Sequence, residues 1–257
     1  IPVTDGTVTV VYDASGVPTI TFTPTTGFTG AVTIPYTISD GQGGTATANE
    51  NVTVTNTAPI AVDDSYTEVA GNPVTLNPLA LDTDADGHTL TIESINGTVL
   101  TYTPSTTQTI VVPNGTVTVV YDASGEPTIT FTNTPGFTGV TTFDYVITDG
   151  HGGSDTGTEA ITVTNNPPVA VDDPYTTPAN TAVTLTPLTG DSAGDAGQTL
   201  TITEINGVVL TYTPSTTQTI PVTDGVVTVV YDASGVPTIT VTPTSEFTGM
   251  VTVPYTI

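Results

Sequence analysis

"TVTVVYDASGEPTITFT" (Thr116–Thr132) decides the fold class. Its two outer runs, "TVTVVY" and "TITFT", alternate threonine with apolar residues at period two. That is the pattern of a strand with one buried face and one wet face. Between them "DASG" (Asp122–Gly125) makes a short loop, in which Gly125 can take the positive φ of a tight hairpin. "TLTIESI" (Thr89–Ile95) alternates in the same way, and prolines punctuate the strand ends. No segment shows helical periodicity with caps.

The hairpin recurs. Close copies begin at Thr7 and at Val226. "NTAPIAVDDSY" (Asn56–Tyr66) returns 109 residues later as "NNPPVAVDDPY" (Asn165–Tyr175). "INGTVLTYTPSTTQTI" (Ile95–Ile110) returns at Ile205–Ile220. A repeat of about 110 residues is a common size for one domain, long enough to bury a core. Residues 56–164 read as one complete copy, 1–55 as the second half of an earlier copy, and 165–257 as a copy that stops before its last strand. Each copy offers roughly seven to nine short strands, the number expected of a sandwich. Both ends fall inside repeats, so the chain reads as a window on a longer repetitive protein. The exposed edge of the third copy is expected to be filled by the continuing chain or by a neighbouring subunit.

Composition narrows the function. The chain has no lysine or arginine and 25 acidic residues, a formal charge of −25. Phosphate recognition draws on those missing cations, which excludes nucleic acid as a partner and disfavours an anionic membrane surface. A chain this acidic repels itself, and bound cations would relieve that repulsion. Trypsin-like proteases find no site. With no cysteine, disulfides, thiol catalysis and Cys-ligated metals are excluded. No apolar run approaches the roughly 18 residues of a membrane helix.

"PPVAVDDPY", "LDTDADGHTLTI", "GFTG…FDYVITDGHGGSDTGTEAITVTN" and their copies resemble the cadherin-like and immunoglobulin-like tandem repeats of giant bacterial adhesins and secreted surface proteins. The resemblance covers the whole chain. It implies an all-β chain of tandem immunoglobulin-like (cadherin-like) β-sandwich domains of about 110 residues. It also implies an extracellular location and stiffening by calcium, and the lack of any singular catalytic arrangement speaks against an enzyme. Neighbouring repeats, or identical chains in a fibre, are the implied partners.

"DTDADGHTLTIE" (Asp82–Glu93) is where an ion is expected. Its spacing matches the calcium loop of helix-loop-helix sensors, with Asp at places one, three and five, Gly at six and Glu at twelve. Here Thr89–Ile95 reads as a strand, which carries Glu93 away from the loop at about 3.3 Å per residue. Asp82, Asp84 and Asp86 remain as a calcium site; a solvated Asp/Gly turn is the alternative. In an immunoglobulin-like topology Asp63, Asp64 and Asp149 approach the same pole, beside the preceding repeat. Several carboxylates with no Lys or Arg nearby would be costly there without a cation; the alternative is that "DD" merely begins a strand on a wet surface. The equivalent loop of the third copy, "GDSAGDAGQTL" (Gly190–Leu200), keeps Asp191 and Asp195, has Ala193 in place of Asp84 and gains one residue, so it reads as a plain turn. His88 and His151 lie in Gly/Asp loops and read as exposed. No nucleophile–base–acid arrangement stands out. The threonine rows read as ordinary solvent-facing strand residues. The function expected is structural, as an adhesin stalk or surface fibre; the alternative is a module that binds glycan or a partner surface.

Overall fold

The computed structural model describes all 257 residues, and its regular structure is entirely β. No helix is long and apolar enough to cross a membrane. The chain packs as two compact units. The first comprises Ile1–Glu68, Asn72–Asn133 and Gly139–Val163; the second comprises Val69–Gly71, Thr134–Thr138 and Thr164–Ile257.

In the first unit the period-two sequence pattern becomes a burial pattern. Val117, Val119 and Tyr121 point into the core from the strand Gly115–Tyr121, whereas Thr116, Thr118 and Val120 do not. This strand pairs antiparallel with Thr107–Val112 on one side and Pro127–Asn133 on the other, and Val74–Leu76 completes a four-stranded sheet. The facing sheet runs Asp64–Val69, Ser154–Thr164, Gly139–Thr148, Thr91–Ile95, Thr98–Val99. Phe143, Tyr145, Ile147, Ile161 and Val163 line its inner face. The Phe131 and Phe143 rings meet across the core with centroids 6.1 Å apart. Each such side chain contributes about 1.5–3 kcal/mol by leaving water. Gly157 stands opposite Tyr145 and leaves the space that ring fills; a Cβ there would collide with it. The result is the two-sheet sandwich expected from the alternation.

The first unit also holds the N-terminal half-copy. It forms a three-stranded sheet of Pro2–Val3, Gly6–Tyr12 and Pro18–Pro24, and a hairpin of Gly30–Ser39 with Thr45–Val54. The strands match those of the complete copy, but no first-half strands face them. Tyr12 is accordingly 67% exposed, where its counterpart Tyr121 is 2% exposed.

The second unit repeats the four-stranded sheet as Val183–Leu185, Pro237–Pro243, Gly225–Tyr231 and Thr217–Val222, packed on Ile202, Ile205 and Leu210. It has no equivalent of Ser154–Thr164. A cleft of about 810 Å³ lies between Asp173–Ala179 and Phe247–Tyr255, where that strand runs in the complete copy. The segment 173–178 has no strand to pair with and forms none itself.

Candidate cation site in the Asp82–His88 loop

The loop is tied to the entering chain at both of its ends. Ile60 and Thr83 exchange backbone hydrogen bonds at 2.8 and 3.0 Å, and Asp82 Oδ1 accepts the Val62 amide at 2.8 Å. Further on, Asp86 Oδ2 accepts the Thr57 amide at 2.6 Å. Between these ties Asp84 Oδ1 accepts the amides of Asp86 and His88 at 2.9 and 3.0 Å, an Asx-type turn that Gly87 completes at φ +82°. The turn folds His88 back over Asp84.

His88 was expected to be an exposed loop residue, and the structure corrects this. Its side chain is 4% exposed and that of Asp84 1%. The cause lies outside the loop: the "GFTG" turn of the half-copy covers the ring. His88 Nε2 is 3.0 Å from the Gly27 carbonyl oxygen, and the ring stacks on His151 with centroids 3.9 Å apart and planes 13° apart. His151 remains exposed, its Nδ1 lying 3.4 Å from Thr29 Oγ1. A carbonyl oxygen only accepts, so Nε2 carries a proton, and Nδ1 is the ring nitrogen left facing the loop. That atom lies 3.5 Å from Asp84 Oδ1, too long for a strong hydrogen bond.

Donor atoms of Asp84, Asp86 and His88 all lie within 4.8 Å of one another. Asp84 Oδ2 and His88 Nδ1, and Asn56 Oδ1 in the linker, are buried without a hydrogen-bond partner. Buried polar atoms are seldom left so. Asp149 joins through Asn56, whose Nδ2 donates to Asp149 Oδ2 at 2.7 Å. That hydrogen bond first, and the His151 and Gly153 amides after it, hold the Asp149 carboxyl below the usual carboxylate range.

The other sequence-predicted residues sit elsewhere. Asp63 Oδ1 accepts the Thr158 amide at 2.9 Å. Asp64 and Asp82 face inward to a second acidic group around Glu159, which sequence reasoning missed. Glu159 is 0% exposed and neither carboxyl oxygen has a partner. Burial, with Asp64 and Asp82 adding to it, pushes its carboxyl up to about 8. Burial, then Asp82 and Asp63, raises Asp64 as well. The Tyr145 hydroxyl lies 2.8 Å from the Val62 carbonyl and 3.1 Å from Asp82 Oδ1; burial and that carboxylate raise its pKa. The six residues therefore divide into a junction group, Asp84 and Asp86 with Asp149 alongside, and an inner group, Asp64 and Asp82, with Asp63 held apart on the Thr158 amide.

In the second unit the equivalent loop is closed by its own amides. Asp195 accepts the Asn166 backbone and side-chain amides at 3.1 and 2.8 Å, and Asp191 accepts the Val171 amide at 2.7 Å. Gln198 stands where His88 does and donates to Asn165 Oδ1 at 2.8 Å. Ala193 replaces Asp84, so no orphaned carboxylate oxygen arises at that position.

A family model described as "Bacterial Ig domain" matches residues 56–162 and 165–257. One described as "Cadherin-like domain" matches residues 2–55. No curated protein sequence matches the chain. Among solved structures, an endo-fucoidan hydrolase of glycoside hydrolase family 107 is similar at 16% identity and TM-score 0.31, covering 96% of this chain and 36% of that one. The N-terminal eight Ig domains of the Down syndrome cell adhesion molecule are similar at 13% identity and TM-score 0.27, covering 98% of this chain and 34% of that one. The chain thus spans about a third of each of those proteins, and likenesses this slight carry no functional argument.

Proposed function

The chain belongs to the bacterial Ig-domain family, and from that premise we propose that it is a structural stretch of an extracellular surface protein. Its β-sandwich repeats act as a stalk or fibre, without catalysis, and its partners are neighbouring repeats or identical chains. We further propose that calcium stiffens the joint between the half-copy and the complete copy. The observation that carries this is the set of orphaned buried oxygens at that joint, Asp84 Oδ2 and Asn56 Oδ1. No lysine or arginine exists anywhere to neutralise the carboxylates beside them. Carboxylate and amide oxygens are the donors calcium takes. Asp84, Asp86 and Asn56 would hold it, with Asp149 beside them, and the ion would supply charge neutralisation between linker and loop.

Calorimetric melting in calcium and then in chelator, with small-angle scattering of the same samples, tests the reading. Calcium at a hundredfold excess over its dissociation constant is expected to stabilise the first unit by about 2.7 kcal/mol, and chelator to shorten the mean end-to-end length. An unchanged transition and an unchanged length would remove the ion from the account.

A further inference from the structure

Calcium makes no use of one donor at this joint. It takes roughly six to eight oxygens, and an imidazole nitrogen is not among its usual ligands. Yet His88 Nδ1 points into the group, buried and unpartnered, beside Asp84 and Asp86. Its other nitrogen is committed to the Gly27 carbonyl at 3.0 Å. Metal-binding histidines characteristically donate the second ring N–H to a carbonyl or carboxylate, which sets the tautomer and turns the free lone pair toward the metal. Asp84 Oδ1 is occupied by two amides, and Oδ2, buried without a partner, is the carboxylate oxygen left for an ion.

We infer that the joint takes a borderline divalent ion of the zinc class through His88 Nδ1 and the Asp84 and Asp86 carboxylates. The inference rests on the reading of this joint as a cation site and adds the identity of an ion. The orienting carbonyl belongs to the preceding repeat, so occupancy and the contact between the repeats are coupled. The second unit has no such site, since Gln198 and Ala193 replace the nitrogen and one carboxylate. The exposed His151 stacks on the ring and shields it; it is not assigned as a ligand.

The test titrates the metal-free 257-residue chain with zinc alone and with calcium alone, by calorimetric titration and by thermal melting. Cobalt then replaces zinc for visible absorption. One zinc per chain is expected, with a raised first melting transition and a tetrahedral cobalt spectrum. His88→Gln installs the residue that the third copy already accommodates. It is expected to weaken zinc by at least about tenfold and to leave the calcium-induced shift unchanged. Zinc without effect while calcium raises the melt would overturn this inference and leave the calcium joint standing. Neither ion acting would overturn both. Zinc binding equally well to His88→Gln would overturn it too, by placing the ion elsewhere. The cobalt spectrum is read on the unaltered chain, so the inference stands or falls even if the variant does not fold.

Discussion

The loops Asp82–His88 and Asp191–Gln198 share a frame and differ in what they leave unfinished. In both, the first aspartate holds the entering chain, Asp82 at Val62 and Asp191 at Val171. In both, a later aspartate holds the linker, Asp86 at Thr57 and Asp195 at Asn166. The third copy then closes with amides, Gln198 to Asn165 and Asn166 to Asp195. The second copy closes with a carboxylate facing an imidazole and a carboxamide oxygen with no donor. Two substitutions and one inserted residue therefore separate a turn closed by its own amides from one that leaves buried polar atoms unpartnered.

The largest expected effect concerns the other feature the third copy lacks here. Glu159 is fully buried, with its carboxyl pushed up to about 8 from an ordinary value of 4.5. The folded state therefore favours the protonated form. Stability from this group is fully present below about pH 4.5 and is lost as pH rises through about 8. The loss in the first unit is expected to be on the order of a few kcal/mol, with Asp64 adding in the same direction. Glu159→Gln should flatten that dependence. Melts at pH 5 and pH 8.5 that match in the unaltered chain would break the argument.

Next comes Asp84→Ala, which gives the second copy the residue of the third. It is expected to cost about 1 kcal/mol in chelator, for the two amides Asp84 caps. In calcium it should cost about 3–4 kcal/mol, because the ion's contribution goes as well. Equal costs in both buffers would mean that no ion is held by Asp84.

In chelator Asp86→Ala and Asp195→Ala should behave alike, each losing about 1–2 kcal/mol for a linker amide. Denaturant melts that show one costly and the other neutral would refute the shared frame. The smallest effect is expected for the paired tyrosines. Tyr145→Phe and Tyr255→Phe each remove a hydroxyl shared between a backbone carbonyl and an aspartate, Asp82 or Asp191. About 1 kcal/mol is expected for each; a difference of more than about twofold would show that the inner groups differ as much as the loops.

Much of the fold was legible because period two in threonine and valine translates directly into one buried face, as at Val117, Val119 and Tyr121. The hairpin loop was legible too: Gly125 adopts φ +88°, and Asp122 Oδ1 accepts the amides of Ser124 and Glu126. The site was legible only in its local part. Asp84 and Asp86 share a turn because they are two residues apart. Strand alternation separates the adjacent Asp63 and Asp64: one turns out to Thr158, 95 residues away, and the other turns in. Glu159 ("TEAITV") holds an inward position only because of its register opposite Phe143. His88 is buried by Gly27, 61 residues earlier in the chain, and nothing in "DGHTL" announces that cover.

The central claim is that the joint in the first unit is rigid when it holds its cation. The chain has no cysteine, so Thr21→Cys and Thr162→Cys, both at exposed positions, accept spin labels without background. A pulsed-resonance distance distribution between them, in calcium and then in chelator, measures the joint directly. One narrow peak is expected with the ion and a distribution at least about twofold broader without it. The same narrow peak in both buffers would contradict the claim.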